Sequence, residues 1–274
     1  MDAVSFSTWE LSRNPHMSSN EIFLAAGLPN VPKNTRCRVL RSLGRVKTME
    51  KRPLLTQKHK EKRLEWAQAY MKQDFSKVLF TNECRATLDG PDSWATGWVL
   101  HGRPASNRVR RQQGGGGVMF LARIIGEEVL GPFRVADGVK LDSKGYCSFL
   151  QEHLLPWLSE KSEEERKTFV FQQDNAPSHT SKYTKSWLKD CGIEGANLMA
   201  WPSQSPDLNP IEPYWSILEK KVYGSGRQFN SSDELWTAVE AASRRILPSQ
   251  VEKLTASMDS RLYKVIQKNG SYIE

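Results

Sequence analysis

The sequence predicts an α/β domain with a mixed sheet, preceded by a small all-α domain. Three observations carry that expectation. Short apolar runs broken by turns begin near Lys77, strands and helices alternate after residue 143, and the excess positive charge is confined to the segment before both. With 274 residues, 38% of them apolar and 26% charged, the chain has the composition of a globular protein with one full-sized core and a smaller second unit. No apolar run reaches the roughly 18 residues of a membrane helix, and MDAVSFSTWE lacks the basic flank and apolar stretch of a secretory signal. An intracellular protein is expected. Cys37, Cys84, Cys147 and Cys191 lie far apart and never form CxxC, which argues against a disulfide framework and a structural zinc site and predicts reduced, mostly buried thiols.

Net charge is +8, and its distribution matters more than its size. Residues 1–73 hold 14 Lys and Arg against 6 Asp and Glu, whereas the remainder holds 25 of each. A one-sided excess confined to one segment has a polyanion as its natural partner, because each neutralised phosphate releases counterions. Nucleic acid is the expected one.

Along the chain, Ser18 or Ser19 caps a first helix that ends near Gly27, with Ser18 and Glu21 spaced as a capping box. After the turn GLPNVP, Lys33 to Leu43 reads as a second helix with Val39, Leu40 and Leu43 on one face. Lys33, Arg36, Arg38 and Arg41 fall mostly around the others. A short helix, a turn and a basic helix suit a helix-turn-helix, whose second helix enters the major groove while Lys and Arg hold phosphates. An ordinary helical hairpin with a wet basic face is the alternative. Residues 1–46 are assigned to this domain. Residues 47–73 follow as a basic linker, interrupted by Pro53, and a helix from Lys58 to Met71.

Residues 74–274 form the α/β domain. Lys77–Thr81, Trp98–Leu100, Val118–Ile125 and Val129–Val135 read as strands, and Ser143–Leu158 as a helix. Then come a strand at Thr168–Gln172, a helix at Ser181–Cys191, a short strand at Asn197–Ala200 and a helix at Ile211–Tyr223. Ser231–Leu247 is an amphipathic helix stopped by Pro248, and Gln250–Gln267 one more. The run Gly114–Gly117 is no nucleotide-binding fingerprint, because a strand rather than a helix follows it.

Two clusters carry chemistry: FVFQQDNAPSHTSK around Asp174 and WPSQSPDLNPIEPYWSILEKK around Glu212. Asp174 ends an apolar strand, where a carboxylate projects into a crevice. Glu212 sits in the first turn of a helix whose approach is fixed by prolines. Such placement is expected of metal ligands, and ordinary capping or helix-dipole roles are the alternatives.

Together, VLFTNEC, FVFQQDNAPSHTSK and WPSQSPDLNPIEPYW resemble the three signature blocks of the Tc1/mariner transposases. The resemblance spans roughly residues 18–270. TLDGPDSWATGW and RRQQGGGGVM are similar to vertebrate Tc1-like elements. It implies an RNase H-like fold in which three acidic residues hold two divalent ions, Mg²⁺ or Mn²⁺, with Asp174 and Glu212 as catalytic ligands and no nucleotide cofactor. The 37 residues between them match the spacing of some Tc1-like lineages rather than the commonest one. His179 and Asn175 belong to the same motif. The implied partner is double-stranded DNA, in particular transposon inverted repeats, bound by a homo-oligomer and with TA as the insertion target. No membrane partner is implied. A nuclear location follows for such a protein, with KRPLLTQKHKEKR as a basic import run.

Three departures from the family stand out. The first catalytic position, where an Asp is expected, is Asn82, whose amide brings no negative charge to a metal. Glu83 should face the other side of the strand, and Asp89 and Asp92 read as part of a turn. Only the second of the family's usual two helix-turn-helix subdomains is recognisable, so the resemblance implies an N-terminally truncated member with reduced affinity and discrimination. FLARIIGEE is unusual too, since Arg123 in a central strand is awkward unless it faces solvent. These features imply a transposase-derived DNA-binding protein whose catalysis is impaired at Asn82. An active transposase with a substitute ligand and an inert scaffold protein are the alternatives.

Overall fold

A computed structural model describes residues 19–43, 53–90, 116–224 and 227–273. The expected strand Trp98–Leu100 and the residues Ser18, Asp92 and Gly114 lie outside them. The chain divides into two compact units, Met1–Pro53 and Leu54–Glu274. In the first, α1 (Ser19–Ala25) and α2 (Lys33–Leu43) pack together, with Ile22 and Phe23 buried. α1 stops because Gly27 adopts φ 74°, so its N–H reaches the Leu24 carbonyl and that of Leu28 the Phe23 carbonyl. On α2, Lys33, Arg38 and Arg41 are exposed and Arg36 is half-buried.

The second unit begins with α3 (Gln57–Ala69), opened by Thr56, whose side chain accepts the His59 N–H. This helix is not part of an extended linker: Trp66 and Ala67 bury one of its faces in the main core. A sheet of order β3-β2-β1-β4 follows, made of β1 (Val78–Thr87), β2 (Gly117–Ile125), β3 (Glu128–Arg134) and β4 (Val170–Gln172). β1–β2 and β2–β3 are antiparallel and β1–β4 is parallel. The sheet is therefore mixed, as the sequence predicts.

Side chains alternate across the strands and feed two cores. On the front, Val78, Phe80, Phe120 and Ala122 meet α9 (Ile211–Val222), α10 (Ser232–Ser243), α11 (Pro248–Thr255) and α12 (Met258–Gln267). On the back, Leu79, Leu121 and Phe171 meet α4 (Ser143–His153), α5 (Leu155–Glu160) and α8 (Lys182–Asp190). The two short helices α6 (Glu163–Thr168) and α7 (Pro177–Thr180) complete the chain order between α5 and α8.

Several expectations are corrected. The helix expected over 143–158 breaks at Leu154, because Pro156 cannot donate a backbone hydrogen bond inside a continuous helix. Asn197–Ala200 contributes only one bridge, Phe171 to Leu198, after a 3-10 turn. The helix expected to run to Leu247 already ends at Ser243, and Pro248 starts α11 instead of stopping α10. Arg123 is 1% exposed, not solvent-facing; its guanidinium lies 5.9 Å and 5.7 Å from the ring centres of Phe133 and Phe149. Cys147 alone among the thiols is buried; the other three are half-buried, and all four are free.

Candidate active site

Strand register sets the first two members of the site. β1 and β4 run parallel with Phe80 beside Gln172, so two residues further on Asn82, midway along β1, comes next to Asp174, just past the carboxyl end of β4. That is where ligands bind in open α/β sheets. The register is locked by Thr81, whose N–H donates to the Gln172 side chain at 3.1 Å and whose hydroxyl donates to the Gln172 carbonyl at 2.9 Å.

Glu212 arrives from α9. Asn209, just before the helix, donates from Nδ2 to the Thr81 carbonyl at 3.1 Å and accepts the Ile211 N–H at 3.3 Å. The start of α9 is thus tied to the strand carrying Asn82. Asn82, Asp174 and Glu212 line one cavity of about 380 Å³, walled by Trp201, Pro202, Ser203, Gln204, Ser205 and Pro206. All three sequence-selected positions meet there.

Within the cavity, Asn82 Nδ2 donates to Glu212 Oε1 at 2.7 Å. Burial pushes the Glu212 carboxyl up, the Asn82 hydrogen bond pulls it down, and the negative charges of Asp174 and Glu219 push it up again; it ends raised. Burial also acts to raise Asp174, but His179 and the Ala176 N–H outweigh it and hold it below the usual range. Both bond the same oxygen: Ala176 N donates to Asp174 Oδ1 at 2.9 Å, and His179 Nδ1 lies 2.7 Å from it. His179 is 4% exposed, with its other nitrogen 3.2 Å from Glu83 Oε1. Burial would lower this imidazole, yet hydrogen bonds to Asp174 and Glu83 raise it to about 9. Asn175 braces the cavity wall by donating to the Trp201 carbonyl at 2.8 Å.

Glu83 faces the back of the sheet, away from the cavity, as strand alternation requires. Asp89 sits at the far end of β1, where Gln228 donates to it at 3.1 Å. Neither reaches the cavity. Cys84 is pushed up to about 12 by burial and by Glu219 and Glu212, so it is an inert thiol.

Residues 77–236 match the family model of the DDE superfamily endonucleases, more than half the chain. The Tc3 transposase of Caenorhabditis elegans is 35% identical over 93% of this chain and 74% of its own length. The Tc1 transposase of the same organism is 31% identical over 94% of both. The chain belongs to the Tc1/mariner transposases. Among solved structures, the Mos1 transposase paired-end complex with left transposon end aligns at a TM-score of 0.78 and 16% identity, covering 100% of this chain and 80% of that one. The Mos1 mariner paired-end complex with Mn aligns equally well, at 18% identity, with 99% and 80% covered. The catalytic domain of Mos1 alone gives 0.65, at 14% identity, over 82% of this chain and the whole of that one. At these identities the likeness establishes the RNase H-like fold.

Sequence reasoning missed the brace behind the cavity wall of this transposase. Arg63 on α3 is fully buried and pairs with both oxygens of Asp207, at 2.8 Å and 2.7 Å. It also donates to Ser205 Oγ at 2.7 Å and the Gly270 carbonyl at 2.9 Å. Gly270 permits that approach, since at φ 77° it packs against the Lys60 carbonyl where a β-carbon would clash. The signal was present: Arg63 falls three and four residues before Trp66 and Ala67, on the apolar face of its helix.

Proposed function

We infer that the chain is a transposase-derived DNA-binding protein whose catalytic step is impaired. The observation that carries this reading is the 2.7 Å hydrogen bond from Asn82 to Glu212. An Asp at this position would repel Glu212 and invite a cation between them; the amide instead occupies Glu212 Oε1 as an uncharged hydrogen-bond donor. The donor set tests the metal directly. Asp174 and Glu212 are hard oxygen ligands on one cavity, of the type that Mg²⁺ or Mn²⁺ takes, but with Asn82 on Glu212 Oε1 the two of them are too few to hold such an ion. Asn82 does not supply the charge that a second, bridged ion needs. Such ions stabilise charge on the oxygens of a phosphodiester undergoing displacement. What the chain's own residues do is hold Asp174 through His179 and Ala176, and place Glu212 through Asn209.

DNA binding rests on α2, where Lys33, Arg36, Arg38 and Arg41 offer cations on a helix preceded by a turn. Its target is double-stranded DNA of the transposon-end kind that the Mos1 complexes hold, read as a helix-turn-helix by a homo-oligomer in the nucleus. Manganese titration of the full chain tests the catalytic half. No binding as it stands, and binding after Asn82→Asp, is the expected pair of results; binding by the unmodified chain would restore the active-enzyme reading. For the DNA half, replacing Lys33, Arg36, Arg38 and Arg41 with Ala should lower affinity at least about tenfold and flatten its salt dependence. An unchanged affinity removes α2 from the interface.

A further inference from the structure

The back of the sheet holds polar groups that the cavity chemistry leaves unexplained. Glu83, His179, Tyr146 and Arg123 cluster behind β1, all but Glu83 less than a twentieth exposed. Tyr146 packs on the His179 ring at 4.0 Å between centres, and its hydroxyl donates to Gln173 at 2.9 Å. The Gln173 amide in turn donates to the His179 carbonyl at 3.2 Å. His179 is therefore fixed in position by both its ring and its backbone.

We propose that Glu83 is a positioning residue for the catalytic cavity, acting through His179 to orient the Asp174 carboxylate. The geometry gives the reason. An imidazole between two carboxylates, 3.2 Å from Glu83 and 2.7 Å from Asp174, cannot rotate without breaking both contacts. With Ala176 N–H and His179 both on Oδ1, the other Asp174 oxygen has no protein hydrogen bond among the described residues. It is left for an ion. Outer groups of this kind fix the direction and basicity of metal ligands. Arg123 has its place in the same chain: neither terminal nitrogen has a hydrogen-bond partner among the described residues, and its charge interacts with Glu83. Its positive charge compensates a carboxylate that would otherwise be costly to keep behind the strand. Adjacent residues of β1 thus serve one site from opposite faces, Asn82 directly and Glu83 through the sheet edge.

The metal arm of the test rests on the cation reading given above; the first arm does not. Isotope-labelled nitrogen NMR of the histidine rings in the full unmodified chain, with His179 assigned by His179→Gln, should show both ring nitrogens hydrogen-bonded. Glu83→Gln, which keeps size and an acceptor, should then move the Nδ1 signal facing Asp174 as well as the Nε2 signal facing Glu83. A change confined to Nε2, or a solvent-exposed ring nitrogen in the unmodified chain, overturns the proposal. In the Asn82→Asp background, Glu83→Gln should weaken Mn²⁺ binding about tenfold with the melting temperature held within a few degrees. Affinity unchanged within about twofold overturns it. If Asn82→Asp binds no Mn²⁺ at all, the cation reading fails, and the ring signals alone decide the role of Glu83.

Discussion

The two faces of the sheet each bury an arginine, and the two are handled in opposite ways. On the front, Arg63 is bound on every side, by the Asp207 carboxylate, Ser205 and the carbonyl of Gly270. On the back, Arg123 has no partner for its terminal nitrogens among the described residues and lies over aromatic rings, with Glu83 as its electrostatic counterweight. The front carries an uncharged amide at its centre, Asn82, within a fully bonded frame. The back keeps the charged residues that hold Asp174. The residue at the cavity's first position and the charged groups that hold Asp174 are therefore separable in this chain, because strand alternation puts them on different surfaces.

The contrast is broken most strongly by removing each arginine. Arg63→Met leaves Asp207 buried and unpaired and is expected to cost about 3–5 kcal/mol in urea unfolding. Arg123→Met takes away a cation whose terminal nitrogens have no hydrogen bonds to lose, and Glu83 keeps its contact with His179, so its cost should be clearly smaller than that of Arg63→Met. Equal effects would show that the two sites are not energetically distinct.

Asn82→Asp sharpens the front half of the comparison. Without metal it replaces a hydrogen bond by carboxylate repulsion against Glu212, and stability should fall by about 1–3 kcal/mol. Added Mn²⁺ should restore it, seen as a rise in melting temperature absent from the unmodified chain.

The smaller effect concerns pH and the back. His179 is raised from 6.5 to about 9, so the fold favours its charged form. The stability it contributes is full below pH 6.5 and declines as pH rises through about 9. His179→Gln should flatten the unfolding profile in that window; an unchanged slope would mean the ring carries no charge there.

Much of this was legible in the residues. Lys33–Leu43 forms a helix with the expected bounds, and Gly117–Ile125 is the expected strand with one residue added. Asp174 at a strand end, Glu212 in a first helical turn and Asn82 on the cavity side of β1 all lie where local rules put them. The alternation that turns Glu83 away from the cavity also follows from the strand alone. Periodicity, capping and proline chemistry act over a few residues, so they are written locally.

What only the tertiary structure decided is which distant groups meet. Arg63 and Asp207 lie 144 residues apart, and Asn82 and Glu212 130 apart. Nothing in the neighbourhood of either residue announces such a pairing. Arg123 in a central strand reads as awkward unless it faces solvent, until α4 closes over it, and Glu83 has no role until α7 delivers His179 to its carboxylate. The reason is physical: a local pattern fixes the direction of a side chain, but whether it meets water, a ring or an opposite charge is set by the elements that pack there.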